Sequence, residues 1–368
     1  MAMTFGVIAR ELGRRGHALT VFRPCRADLP PIPESGDYTV VSLPGFAVPG
    51  YPLIRLGLPA GARLRAAWRQ ARPDLVHVAT EGPLGASAVA AARSLGIPVT
   101  SSFHTNFHAY ARHYRAGPLG GVVLAWLRRL HNRTRRTFAP TRELIAELAG
   151  AGFRDLALMS RGVDTLCFHP LRRSPELRRA WGADDDHPVV LHVGRMAPEK
   201  DYDLLFRCYA AMRAVNPGLR FVLAGEGPLR AGLERAHPEC HFAGFLSRPE
   251  IGAYYASADL YIHASRTETF GNVLTEAMAS GLAVAGFDYA AARQFVRHGE
   301  SGLVAPLDAP EALVAAAEML AGDPFLRAQL GRAARLAVEQ HSWERVIADF
   351  ERDLLQAAAL APAGGGVT

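Results

Sequence analysis

The chain has 368 residues, 49% of them hydrophobic, and a formal net charge of +6. That length favours two domains over one, with enough apolar content for a sizeable core in each. Every apolar run is broken before the roughly 18 residues a membrane span requires, and no leader-like segment precedes the first helical stretch.

The charge is unevenly spread. Residues 1–168 carry 21 basic and 10 acidic side chains and residues 169–368 carry 20 and 25, so the first half is positive and the second negative. A basic half suits nucleic acid, an anionic membrane surface or an acidic small substrate, and charge alone does not choose among them. The four cysteines, Cys25, Cys167, Cys208 and Cys240, include no C-x-x-C pair, which fits reduced thiols better than a disulfide or zinc framework.

In chain order, "MAMTFGVIARELGRRGH" reads as a helix leading directly into a strand at 17–23. A doubly wound unit normally opens on a strand whose following loop approaches the ligand, so this chain is expected to begin downstream of that strand. Further strands are predicted at 38–43, 75–80, 98–103, 137–140 and 156–160, with helices in several gaps. The segment "SRGVDTLCFHPLRRSP" (160–175), with its glycine, aspartate and prolines, reads as the connection between domains. Strands resume at 188–194, 220–225, 240–245, 259–265, 282–287 and 302–307. The economical reading is two doubly wound α/β units in tandem, 1–168 and 169–345. Residues 346–368 would form a helix returning towards the first domain and a glycine-rich tail expected to be disordered.

Lys200 is the only lysine, against forty arginines. It lies in "VVLHVGRMAPEKD", five residues after Arg195, which itself follows a predicted strand. Two cations beyond the carboxyl end of a parallel strand suit a pyrophosphate, and a compact ammonium is not interchangeable with a planar fork at a tight phosphate site. On spacing alone, a surface pair with Glu199 or Asp201 is an equal reading. In "RTETFGNVLTEAMASG" (266–281), Gly271 separates Glu268, in a loop, from Glu276, on a helix. The loop Thr269-Phe270-Gly271-Asn272 would present backbone N–H groups at a helix N-terminus, with one carboxylate for a sugar and the other for a ribose. The bland alternative is a cap and a solvated glutamate. His104 in "SSFHTNFHAY" follows a predicted strand and fits either a sugar hydroxyl or a core position. The acidic segments "ADDDH" and "DYD" read as solvated, and no metal site is expected.

Together, "SFHTNF", "SRGVDTLCFHP", "GRMAPEKD", "GEGP" and "ETFGNVLTEAMASG" resemble the retaining, nucleotide-sugar-dependent glycosyltransferases of family 4 (group 1), over about residues 1–350. The resemblance implies the GT-B fold, two facing Rossmann-like domains with the donor site in the cleft, here without the first domain's opening strand and glycine-bearing loop. "HTNFHAYARHY" and "RRLHNRTRRT" look most like bacterial mannosyl- or glycosyltransferases acting on lipid acceptors. The resemblance also implies roles. Gly194, Arg195 and Lys200 would hold the donor diphosphate without a metal, and Glu268 would bond hydroxyls of the transferred sugar beside the amides of Phe270, Gly271 and Asn272. Glu276 would bond the ribose, His104 would lie against the sugar, and the base would sit near Gly225 and Phe245. No cofactor is implied beyond the donor substrate, with GDP-mannose first and a UDP-hexose second. "GFDYAAARQFV" (286–296) departs from the Gly-Gly-Xaa-Xaa-Glu that many members have there.

The arginine-rich stretch 112–136 could lie on an anionic membrane or be a packed helix with a charged face. A cytoplasmic enzyme is expected, with peripheral attachment to the inner face of the plasma membrane and a lipid or glycan acceptor. The alternatives are a catalytically silent nucleotide-sugar-binding scaffold, in line with the missing strand, and a nucleotide-sugar epimerase. Nucleic-acid binding is disfavoured, because the basic residues lack interleaved aromatics.

Overall fold

The computed structural model describes residues 2–25, 36–48, 51–103, 118–184, 187–268 and 270–359. It divides into two compact units, Met1–Ser160 with Glu344–Thr368, and Arg161–Trp343.

In the first unit the helix Ala2–Arg14 precedes β1 (Thr20–Pro24), β2 (Thr39–Leu43), β3 (Gly45–Val48), β4 (Tyr51–Gly57), β5 (Val76–Val78), β6 (Val99–Ser102), β7 (Arg136–Ala139) and β8 (Leu156–Leu158). β1 and β2 pair in parallel, β5-β6-β7-β8 form a parallel sheet, and β3 and β4 form an antiparallel hairpin. The sequence reading found the six parallel strands and missed the hairpin, because its prolines and glycines mimic a loop. Gly45 is there for contact: a Cβ on it would fall 2.7 Å from the Leu56 carbonyl oxygen. A doubly wound sheet has its opening strand in the middle. Here the described residues open on a helix instead, and the parallel strands remain in two separate ladders.

The helix Trp343–Ala359 belongs to this first unit. Phe350 packs edge-on against Phe138 of β7, with centroids 4.8 Å apart, and Arg136 reaches Asp353 at 2.7 Å. Residues 360–368, read as a disordered tail, and 104–117, with His104, lie outside the described residues.

The second unit holds β9 (Val189–Val193), β10 (Arg220–Ala224), β11 (His241–Gly244), β12 (Leu260–His263), β13 (Ala283–Phe287) and β14 (Leu303–Ala305). They form one parallel sheet in the order β11-β10-β9-β12-β13-β14. That is third, second, first, fourth, fifth, sixth, the doubly wound order of dinucleotide-binding folds. Both faces are covered. Val190, Leu260, Ile262, Phe221 and Leu223 enter one core, and Val189, Leu191, Tyr261 and Val222 enter the other. Burial on both faces explains why these strands read as continuous apolar runs rather than as alternating ones.

Backbone contacts between loops hold the carboxyl ends of β9 and β10 together. The Gly194 amide donates to the Ala224 carbonyl at 3.0 Å, and the Met196 amide to the Glu226 carbonyl at 2.9 Å. A Cβ on Gly225, at φ +142°, would fall 1.9 Å from the Gly194 carbonyl oxygen, and one on Gly227 would fall 2.3 Å from that of Met196. The two glycines of "GEGP" therefore let one chain lie directly against the other.

Candidate active site

An open parallel sheet binds ligands beyond the carboxyl ends of its strands, at the point where strand order reverses. In the second unit that point lies between β9 and β12, where Val190 stands opposite Leu260 and Leu191 opposite Tyr261. The loops that follow these strands carry Lys200 and Glu268. Although 68 residues apart, they form an ion pair between Lys200 Nζ and Glu268 Oε1. Their side chains are only 16% and 15% exposed.

Each residue is placed by its local structure. Lys200 ends the 3₁₀ turn Pro198–Lys200. Asp201 then takes a left-handed backbone at φ +52° and caps the helix Tyr202–Val215, accepting from the Leu204 amide at 3.3 Å. On the other side, Gly271 at φ +91° turns the chain into the helix Asn272–Ala279. A residue other than glycine would be strained there. Helix geometry leaves the first amides of that helix without acceptors inside it, and the Leu274 amide is taken up by the Gly271 carbonyl at 3.1 Å. The Phe270 ring is buried edge-on to Phe295, and its carbonyl accepts from the Ala291 amide at 2.8 Å. Asn272 Oδ1 is buried without a hydrogen-bond partner among the described residues.

Three further groups surround Glu268. His263, at the end of β12, is buried with Nε2 3.6 Å from Glu268 Oε1 and Nδ1 3.4 Å from the Tyr261 hydroxyl. Burial lowers its pKa, opposed by the Glu268 charge and reinforced by Lys200. The Tyr289 hydroxyl donates to the Glu268 carbonyl at 2.9 Å. Arg161 has a buried Nε with no hydrogen-bond partner among the described residues. Burial weighs against its charge, and the nearby Glu268 carboxylate supports it. A small recess opens here, lined by His263, Ser265, Glu268, Gly271 and Tyr289 among others.

The remaining residues stand apart from that pair. Arg195 is 60% exposed and ion-paired with Glu199, the surface arrangement that spacing left open for it, whereas Lys200 takes neither Glu199 nor Asp201. Gly194 sits where a Cβ would be 3.6 Å from His192 Nε2 and 3.8 Å from Lys200 Cε. Glu276 accepts from the Tyr255 hydroxyl at 3.3 Å, and burial pushes its pKa up to about 7 in spite of Arg248. Both Glu268 and Glu276 act electrostatically on the buried Tyr261 hydroxyl, with Glu268 the larger influence. His104 and Thr269 lie outside the described residues.

Comparison with known proteins matches this arrangement to one family. The model described as Glycosyltransferase Family 4 matches residues 2–165, and that described as Glycosyl transferases group 1 matches 173–337. A protein of Corynebacterium glutamicum described as a GDP-mannose-dependent alpha-mannosyltransferase is 31% identical over 341 residues, covering 92% of this chain and 80% of the relative. One of the same description from Mycolicibacterium smegmatis is 35% identical over 336 residues, covering 90% and 87%. The chain belongs to the family 4, group 1 glycosyltransferases. Among solved structures, sucrose-phosphate synthase from Thermosynechococcus elongatus superposes with a TM-score of 0.75 at 20% identity, covering 96% of this chain and 92% of that one. The fold is thus the two-domain GT-B fold.

One departure from the family pattern is resolved by the backbone. Where many members have Gly-Gly, this glycosyltransferase has Ala290 at φ +51°, ψ −122°. An alanine held there costs about 1–2 kcal/mol that a glycine would not. The Phe270 carbonyl, by accepting from Ala291, and the Tyr289 hydroxyl hold the turn. Sequence reasoning missed Arg161, His263 and Tyr289. Arg161 was hidden in a segment read as a connection, and His263 in a strand where one polar residue carries no signal.

Proposed function

We propose that this glycosyltransferase moves mannose from GDP-mannose to a hydroxyl of a membrane lipid or glycolipid, with retention of configuration and without a metal. The observation that carries the reading is the part-buried Lys200–Glu268 pair at the strand-order reversal. The relatives' descriptions support the donor. In this reading, Lys200 and Arg195, with the Gly194 backbone beside them, hold the diphosphate and offset charge on the departing phosphate. Glu268 accepts from sugar hydroxyls, the amides of Phe270, Gly271 and Asn272 add donors, and Glu276 bonds the ribose. The family resemblance gives His104, outside the described residues, a role in bonding a sugar hydroxyl. The bond from the anomeric carbon to phosphate breaks as the acceptor oxygen attacks from the same face. The acceptor's proton passes to the departing phosphate oxygen, so no carboxylate nucleophile is needed.

The helix Pro118–His131 supports a membrane-borne acceptor. Val122 and Trp126 are 65% and 41% exposed, and Arg129 continues the same helical face. Apolar residues followed by cations suit the boundary of an anionic bilayer. No helix among the described residues is long and apolar enough to cross a membrane.

The test uses radiolabelled GDP-mannose and UDP-glucose with a bacterial lipid extract in phosphatidylglycerol vesicles. Labelled lipid from GDP-mannose, at a rate EDTA leaves unchanged, is expected. Product only from UDP-glucose would replace the donor, and loss of product in EDTA would overturn the metal-free mechanism. Trp126→Ala with Arg129→Ala should slow only the vesicle reaction; an unchanged rate removes the membrane-facing role.

A further inference from the structure

The imidazole of His192 on β9 is fixed on three sides. Its Nδ1 lies 3.3 Å from the Ile262 carbonyl of β12, the Tyr261 ring lies nearly parallel with centroids 6.3 Å apart, and the Tyr202 ring stands edge-on at 5.4 Å. A carbonyl oxygen only accepts, so Nδ1 carries a proton. Burial, with a smaller push from the Lys200 charge, holds the pKa at about 3, so the ring is neutral and Nε2 is a bare lone pair. That nitrogen is buried and has no hydrogen-bond partner among the described residues. Buried polar atoms of folded chains normally have one.

Gly194 opens a space beside this lone pair, because a Cβ there would lie 3.6 Å from His192 Nε2 and 3.8 Å from Lys200 Cε. The imidazole nitrogen and the stem that carries the ammonium thus border one volume. An ammonium has three donors, and that of Lys200 makes only its bond to Glu268 among the described residues. A diphosphate that draws the ammonium off Glu268 leaves it in want of a protein acceptor on this side. A carboxylate would compete with the phosphate for the cation, and an imidazolium would repel it. A neutral lone pair directs one N–H and leaves the charge to the phosphate. The Tyr202 hydroxyl is also buried without a partner among the described residues, but a neutral donor makes the weaker bond.

We propose that His192 is a positioning residue for Lys200, its Nε2 accepting from the ammonium once the donor's diphosphate draws that ammonium off Glu268. This rests on the phosphate role proposed for Lys200 and extends it, since the histidine acts through the lysine rather than on the substrate. It accounts for a buried ring that has one nitrogen pinned by a carbonyl and the other unpaired beside the lysine stem.

A double-mutant cycle on the full chain tests this, with GDP-mannose as the donor and initial nucleotide release as the rate. His192→Phe keeps an aromatic ring without the acceptor and should lower kcat at least about tenfold, the scale of losing a hydrogen bond to a charged group. His192→Asn, whose amide reaches only the Nδ1 position, should do the same and serves where the phenylalanine variant fails to fold. His192→Gln puts an amide oxygen at the Nε2 position and should recover most of the rate whatever its melting temperature, which a packing role would not give. On a Lys200→Ala background the effect of His192→Phe should shrink to within about twofold, because a residue acting through the lysine has nothing left to position. Wild-type rates in His192→Phe and His192→Asn, no recovery in His192→Gln, an undiminished loss on the Lys200→Ala background, or an equal loss in Tyr202→Phe overturns the proposal. Lys200→Ala by itself tests the phosphate reading. If it is inactive while His192→Phe is not, only the histidine's role falls; if it matches wild type, both fall.

Discussion

Lys200→Ala is expected to lower kcat about 10²-fold or more, the scale of removing one preorganised charge from a developing anion. The effect on the KM for donor should be smaller, because the ground-state diphosphate keeps Arg195 and the backbone amides, whereas the departing phosphate gathers charge only as the bond breaks. Lys200→Arg should not restore the rate. The ammonium is confined between the Glu268 carboxylate and the backbone around Gly194, and a planar fork needs a wider approach. Neither variant should unfold the unit, since Arg161 and His263 remain beside the carboxylate that Lys200 leaves. Initial rates of nucleotide release, with thermal melts as control, check this. A Lys200→Ala rate within a few-fold of wild type would remove the phosphate role, and an active Lys200→Arg would remove the geometric argument.

The second large effect is on stability against pH. Burial holds Glu276 at about 7, against an ordinary 4.5, with Arg248 and the Tyr255 hydroxyl opposing the rise and Asp164 adding to it. Below the ordinary value the group is protonated in both folded and unfolded chains. Between 4.5 and about 7 the unfolded chain releases the proton and the folded chain keeps it, so stability falls as pH rises through that window and then levels off. The loss is on the order of 3 kcal/mol at roughly 1.4 kcal/mol per unit. Glu276→Gln removes that slope: the variant should match wild type near pH 4.5 and exceed it at pH 8 in denaturant melts. Affinity for the nucleotide sugar should move the other way, dropping about tenfold in the variant, since an amide accepts from ribose hydroxyls less strongly than a carboxylate. A wild-type stability that is flat or rising from pH 5 to 7 would show that the carboxylate is solvated. Unchanged donor affinity would remove its ribose role.

Much of this was readable from the chain because each reading rested on local physics. The six strands of the second unit are short apolar runs between turn residues, and a sheet covered on both faces demands such runs. Gly271 marked the boundary between Glu268 and Glu276, because a positive φ is a property of one residue and its neighbours. The hairpin β3–β4 was not readable, since prolines and glycines that end most strands lie inside this one. Ala290 could be seen to replace a glycine, but not to adopt a glycine's backbone. That conformation is imposed by hydrogen bonds from elements distant in sequence.

The sequence by itself determined the two α/β units, the family and the candidate residues, because strand periodicity, turn chemistry and motif spacing are all local. Which charge meets which was decided only by the tertiary structure. Lys200 and Glu268 pair because β12 lies beside β9 in the sheet, and Arg195 turns to Glu199 because both lie on one exposed turn. Arg161 feels the Glu268 charge from a segment that carries no local sign of a site. Coulomb interactions depend on distance in space, and the strand order of the sheet sets that distance.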